Sequence, residues 1–282
     1  MKSIHILLMI CAVAVWGFNF VATRVALEVF SPMQMTFARS FLTLVILLPW
    51  WKPFKPISPK LLASAMSIGA VSYYLLYAAI GMTESLTTVA VGTQMFPPLS
   101  ALITWLFFRE RISPRKWLGI LIATTGAIYL TGATTSTLSV TALGLTFLSV
   151  LFYSAGSIII GKSTSVSVWR MLAWISAVSL IPLGLMTAAT GPLYPDLSLM
   201  QVQHWLALLF AVVLSALLGQ ATLFYLYGKY PVSDVVPWAL LIPVFAGFSS
   251  ILIYGESISL SLLLGGAIVL LGVWVQSRGR SA

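Results

Sequence analysis

Charge is what this sequence has least of. Asp, Glu, Lys and Arg make up 7% of the 282 residues, hydrophobic types make up 60%, and mean hydropathy is +1.02. A soluble domain needs about 25% charged residues to cover its surface, so the outside of this chain faces lipid. A single cysteine, Cys11, excludes an internal disulfide and any multi-thiolate metal site. It falls in the first apolar run and reads as packing. The two histidines, His5 and His204, both sit near the ends of apolar runs, and there is no HExxH and no pair of buried aspartates. Catalytic and metal-binding constellations are absent from the sequence, so an intramembrane enzyme is disfavoured and no cofactor is implied. Period-2 alternation, the mark of a membrane β-barrel, is missing too. The net charge of +9 would suggest nucleic acid in a soluble chain. Here the basic residues sit at the ends of apolar runs, and no nucleic-acid partner is expected.

What is present is a succession of ten apolar runs, at about 4–23, 33–51, 61–81, 86–108, 117–134, 142–161, 169–189, 204–227, 234–254 and 258–276. Each is long enough for a helix that satisfies its own backbone in hydrocarbon. Lys2 and the Ala12, Val13, Ala14 triplet mimic a cleavable leader. The run continues through Val21, too long for a typical leader, so it reads as a retained first span. Turn signals separate the runs: Ser31 with Pro32, Pro53 to Pro59, Ser113 with Pro114, Gly191 with Pro192, and Pro231.

Lys and Arg fix the orientation. With the N-terminus in the cytoplasm, Lys2, Lys52, Lys55, Lys60, Arg109, Arg111, Arg115, Lys116, Lys162, Arg170, Lys229, Arg278 and Arg280 are all cytoplasmic. Only Arg24 falls in an outer loop, and Arg39 lies within the second span. Cytoplasmic loops are enriched in Lys and Arg, so both termini are expected inside. The outer side carries Glu28, Glu84, Asp196 and His204, and the connection 191–203 reads as a structural loop or, as the alternative, a gate or lid.

The second five runs partly repeat the first five. At an offset of 146, Pro97 falls on Pro243, Glu110 on Glu256, Gly119 on Gly265 and Gly126 on Gly272. An odd number of spans per repeat turns the second copy upside down. The expected fold is an all-α integral membrane protein of ten transmembrane helices, built as two inverted five-helix repeats, 4–134 and 142–276. Inverted repeats suit secondary transporters, because two mirror-related packings give an inward-open and an outward-open state.

The residues also resemble a family. The stretch 14–49 contains WGFNF, then Pro32, then Arg39 seven residues further on. It resembles the first two spans of the EamA family of drug/metabolite transporters. Glu110 after Phe107, Phe108 and Arg109, and Glu256 after Tyr254 and Gly255, resemble the acid that closes that family's fourth and ninth spans. The stretch from Gly219 and Gln220 to Glu256 is similar to the amino-acid exporters within it, those handling O-acetylserine and cysteine. One departure is Arg109, where the second half has Gly255. The resemblance implies a ten-helix inner-membrane carrier with a central cavity, exporting small amino acids or related metabolites. A lipid-linked sugar or phosphate flippase and a broad-specificity exporter belong to the same superfamily and are the alternatives. The partners expected are a small-molecule substrate and the lipid bilayer, and a homodimer is left open.

Polar groups at bilayer depth are the functional candidates. Arg39 lies about six residues inside the second span, roughly 9 Å at 1.5 Å per residue. Its fork suits a substrate carboxylate, or it snorkels to the interface or braces helix-end carbonyls. Asn19 suits a zwitterion or serves as glue between helices. Thr93 and Gln94 precede Pro97 and Pro98, whose missing N–H frees carbonyls upstream at residues 90–94. Pro237 and Pro243 break the ninth span in the corresponding place. These breaks mark a midplane site and hinges, or kinks that improve packing. Among the aromatics Trp16, Tyr73, Tyr74, Tyr77, Phe96, Tyr153, Tyr225 and Trp238, cavity-lining roles are expected first for Trp16 and Tyr77. Trp238 and Gln220 complete the substrate-binding set. Glu110 and Glu256 read as gate residues at opposite membrane faces. Gly119, Gly126, Gly265, Gly266 and Gly272 let helices approach closely. No acid lies deep in any span, so the sequence offers no obvious proton relay.

Overall fold

The structure, a computed structural model, describes residues 1–51, 58–83, 89, 92–130, 139–161, 166–254 and 260–278. All regular structure in these residues is helical. We number ten helices: α1 Ser3–Ala26, α2 Pro32–Leu47, α3 Pro59–Gly81, α4 Phe96–Phe108, α5 Pro114–Leu130, α6 Val140–Gly161, α7 Val168–Thr190, α8 Val202–Tyr227, α9 Val232–Ile253 and α10 Leu260–Ser277. Seven of them are long and apolar enough to cross a membrane: α1, α2 with its 3-10 extension to Trp50, α3, α6, α7, α8 and α9. Ten full-length spans were expected. The helix α4 and the stretch Leu263–Ser277 of α10 are apolar but shorter, and α5 has 17 residues.

Local chemistry explains several boundaries. Ser31 opens α2 with a capping box: its hydroxyl accepts from the Gln34 N–H at 3.2 Å, and the Gln34 side-chain oxygen accepts from the Ser31 N–H at 2.9 Å. Proline occupies the first turn of α2, α3 and α4, where its missing N–H costs nothing. The fourth span is expected from about residue 86; residues 89, 92 and 93 are helical, the chain turns at Gln94 and Met95, and α4 restarts at Phe96. Pro97 and Pro98 force that restart, because proline cannot continue a helix from upstream. In α9, Pro237 heads a 3-10 stretch, Val236–Leu241, and α-helix resumes at Ile242 just before Pro243. Both halves are therefore broken before their fourth helix settles.

Two helices contain π-helical stretches that no local residue pattern marks. In α3, 8 α-helical residues, Pro59–Met66, lead into π geometry at Ser67–Ser72. In α8, 8 residues, Val202–Leu209, lead into π geometry at Phe210–Gln220.

Packing pairs the first five helices with the second five. α1 packs on α8 and α9, and α6 packs on α3 and α4. α2 runs along α7, α4 meets α9, and α5 runs along α10. Exchanging the two sets of five maps each of these pairings onto another or onto itself. The α5–α10 seam is the tightest. A Cβ on Gly119 would fall 2.5 Å from the Gln276 backbone nitrogen, and one on Gly126 2.7 Å from that of Val269. These glycines and Gly272 bring backbone against backbone, as their spacing implied.

Candidate functional site

A cavity of about 120 Å³ lies where helices of both sets converge. On α1, Trp16, Asn19, Phe20 and Thr23 form one face by i, i+3 and i+4 spacing. α3 adds Ser72, Tyr73, Leu76 and Ile80, while Thr93 and Phe96 come from the approach to α4 and its first turn. The other set supplies Ser149, Val150 and Tyr153 from α6, Ser215 from α8 and Ile242 from α9. The wall is mostly aromatic and aliphatic, with a few hydroxyls and one amide. The Tyr153 ring stands edge-on to Tyr73 at 6.2 Å and to Phe96 at 5.4 Å, both favourable T-shaped geometries.

The π stretches frame this cavity. The Trp16 indole Nε1 donates to the Ser215 carbonyl at 3.4 Å. The Ser149 hydroxyl donates to the Ser72 carbonyl at 2.8 Å. Ser72 and Ser215 each stand 13 residues after the start of their helix (72 − 59 and 215 − 202). In each half, then, a carbonyl at the same point of a π stretch receives a side chain from the opposite half's first helix. Asn19 Nδ2 donates to the Thr23 hydroxyl at 3.2 Å, and Asn19 Oδ1 has no hydrogen-bond partner among the described residues.

Of the expected substrate-binding residues, Trp16, Asn19 and Thr93 line the cavity. Arg39, Tyr77 and Gln220 do not; they gather around Tyr73, which does. The Arg39 guanidinium carbon lies 3.7 Å from the Tyr73 ring centroid, and Nε donates to the Ala211 carbonyl at 3.4 Å. Arg39 is 4% exposed and does not snorkel. Bracing of helix-end carbonyls is done instead by Arg24, whose Nη1 donates to Ile80 at 3.1 Å and to Thr83 at 2.7 Å. The Tyr77 ring lies 6.0 Å from that of Tyr73, and the Tyr73 hydroxyl donates to Gln220 Oε1 at 3.4 Å. Gln94 is buried at the turn before α4, outside the cavity wall. Trp238 packs half-buried against the main apolar cluster. Reasoning from the sequence passed over Ser72, Ser149 and Ser215. A serine in an apolar run carries no mark that separates a cavity wall from ordinary helix contact.

Ties between the two halves sit at both ends. At one end the Glu110 carboxylate accepts from the Ser233 N–H at 3.4 Å, at the start of α9. Beside it the buried Lys116 ammonium pairs with Asp234. At the other end Glu28 meets His204 at 3.2 Å. In the loop ahead of α8, the Ser198 hydroxyl and N–H hold the Asp196 carboxyl below its usual pKa range. Arg109, ending α4, is left-handed at φ 54. Glu256, Gly255, Ala90, Val91, Lys52, Lys55, Glu84, Lys162 and Arg280 lie outside the described residues.

The EamA-like transporter family matches this chain twice, over residues 3–132 and 140–278. A "probable amino-acid metabolite efflux pump" of Escherichia coli K12 is 24% identical over 284 residues, covering 96% of this chain and 94% of the relative. A protein of the same description from Salmonella typhimurium LT2 matches equally, at 24% over 284 residues. An "uncharacterized transporter" of Archaeoglobus fulgidus is 24% identical over 276 residues, covering 95% of this chain and 96% of its own. A crystal structure with 15% identity superposes at TM-score 0.79 over 98% of this chain and 96% of the other, a likeness of fold. Together the matches identify a multi-pass membrane transporter and not an enzyme.

Proposed function

This chain belongs to the EamA-like transporter family, and we propose that it exports small amino acids or related metabolites across the cell inner membrane by alternating access. In this reading ten helices cross the membrane as two inverted five-helix repeats, 4–134 and 142–276, with both termini cytoplasmic. The observation that carries it is the cavity, whose wall takes residues from α1, α3 and α4 on one side and α6, α8 and α9 on the other. A site shared between two halves changes its access when the halves rock. The exchanged helix pairings, the matched π stretches and the matched proline breaks support the repeat.

The chemistry of the wall suits a small, partly apolar cargo. Trp16, Phe96 and Tyr153 supply aromatic faces, while Asn19 and Thr93 supply a few polar contacts for orientation. A lipid-phosphate flippase needs a basic groove, and neither Lys nor Arg is among the described wall residues. Glu110 with Ser233 and Lys116 with Asp234 close one end, while Arg24 and the Glu28–His204 contact close the other. One set opens while the other holds, and Pro97, Pro98, Pro237 and Pro243 mark where the helices can hinge. Glu256 is proposed as the gate residue of the opposite face. The wall residues of the cavity all belong to one chain.

The test is counterflow in liposomes containing the purified full chain. Radiolabelled serine, cysteine or O-acetylserine should enter saturably and faster when the same compound is inside. Trp16→Ala should lower that rate per folded molecule by about tenfold, since it removes a wall contact worth about 1.4 kcal/mol or more. Movement of lipid alone, or linear leakage without counterflow, would overturn the proposal.

A further inference from the structure

We infer that Arg39 is the anchor for a carboxylate on the cargo and that the Tyr73 ring is the shutter between them. The inference rests on the transport reading above and adds the chemical group that the site selects. Its starting point is an imbalance. A buried cation in a membrane helix normally has an anion beside it. The described carboxylates are all engaged elsewhere: Glu28 with His204, Glu110 with the Ser233 N–H, Asp196 with Ser198 and Asp234 with Lys116. Arg39 has one backbone carbonyl, that of Ala211, and the face of Tyr73.

Around the same ring three more polar atoms are buried without a hydrogen-bond partner among the described residues: Arg39 Nη2, the Tyr77 hydroxyl and Gln220 Nε2. All three carry N–H or O–H hydrogens. Buried donors left unmatched in this way are uncommon. A carboxylate, which only accepts and has two oxygens, is the group that answers such a surplus.

Tyr73 controls the route. Its ring belongs to the cavity wall and also stacks on the guanidinium. Its hydroxyl is held by one long bond, 3.4 Å, to Gln220 Oε1. Rotating the side chain breaks that bond and the stack, and opens Arg39 to the cavity. The incoming carboxylate then replaces the ring as the partner of the fork. An amide or an ester of the same size cannot make that exchange, because it brings no charge.

The experiment compares acids with their carboxamides. Counterflow is measured in liposomes containing the full chain, using a mixture of radiolabelled common amino acids and the same mixture converted to amides. The wild type should move the acids at least about tenfold faster, the discrimination a site built around a specific polar group gives. Arg39→Gln should erase that preference by slowing the acids to the rate of the amides. Arg39→Lys keeps the charge but loses the fork. It should raise KM for the acids about tenfold, and it serves if Arg39→Gln fails to fold. Tyr73→Phe cuts the tether to Gln220 and should lower KM for the acids about threefold, roughly the worth of one weak hydrogen bond. Acids and amides moving alike in the wild type would overturn the anchor while leaving transport intact. A wild-type acid preference in Arg39→Gln, or a wild-type KM in Arg39→Lys, would do the same. Movement of neither mixture would overturn both the anchor and the amino-acid reading.

Discussion

Two helix crossings occupy matching places in the two halves and are built differently. α2 crosses the π stretch of α8, and α7 crosses the π stretch of α3. Arg39 and Ile175 each stand seven residues after the start of their helix (39 − 32 and 175 − 168). Arg39 gives an N–H to the Ala211 carbonyl of the α8 stretch. Ile175 lies against Gly69 of the α3 stretch so closely that a Cβ there would come within 2.9 Å of both its Cγ2 and its carbonyl oxygen. One crossing holds a cation short of acceptors; the other holds no charge and is full, with Ile175 and the Ser179 hydroxyl, itself bonded to the Ile175 carbonyl, against Gly69. In the proposed repeat, the second five-helix unit serves as scaffold wherever it matches the first. Where the two depart, as at residues 39 and 175, the departure marks chemistry that one site needs only once.

The sharpest way to break this comparison is to make the apolar crossing resemble the polar one. Ile175→Arg should cost about 4 kcal/mol or more, combining a charge at membrane depth with overpacking against Gly69. The measurement is a melting temperature in detergent, and a wild-type value would mean that the two crossings are interchangeable. A second contrast is between the ion pair and its counterpart. Lys116 is 1% exposed beside Asp234, whereas the offset of 146 puts Leu262 at the Lys116 position of α10. Asp234→Asn should cost about 3 kcal/mol by leaving a buried ammonium without its carboxylate. The double change Lys116→Met with Asp234→Asn should recover most of the loss in a double-mutant cycle. The smallest effect concerns Arg109, which holds φ 54 where the other half has Gly255. Arg109→Gly should raise stability by about 1 kcal/mol, because left-handed geometry is costly for a residue with a Cβ. A lower melting temperature would mean that the Arg109 side chain contributes more than its backbone costs.

Much of this architecture was legible. Hydropathy marked ten helical runs, and the glycines at 119, 126 and 272 marked where helices approach closely, though not that α5 and α10 would be the pair. Proline foretold the breaks in α4 and α9, though not that the turn would fall at Gln94 and Met95, between helical residues 92–93 and the restart at Phe96. The π stretches were not legible. They contain no proline and no unusual residue pattern; helix packing, not local preference, sets their geometry. At the site, Arg39 stood out because charge at membrane depth is rare. That it would meet the cavity through Tyr73 depended on how α2, α3 and α8 come together, which no spacing within one helix reveals. Trp238 was misleading for the opposite reason: tryptophan suits a cavity wall and a packed core equally well.

Among the described residues the α5–α10 seam lines no part of the cavity, and at Gly119, Gly126 and Gly272 each helix meets the backbone of the other. Two helices that touch through their main chains cannot slide without a clash, so this pair has to travel as one strut. In the proposed rocking, the other eight helices leave the strut whole and turn about it like an axle. Adding a single methyl group at residue 119 or 272 would jam the bearing far from anything the cargo touches.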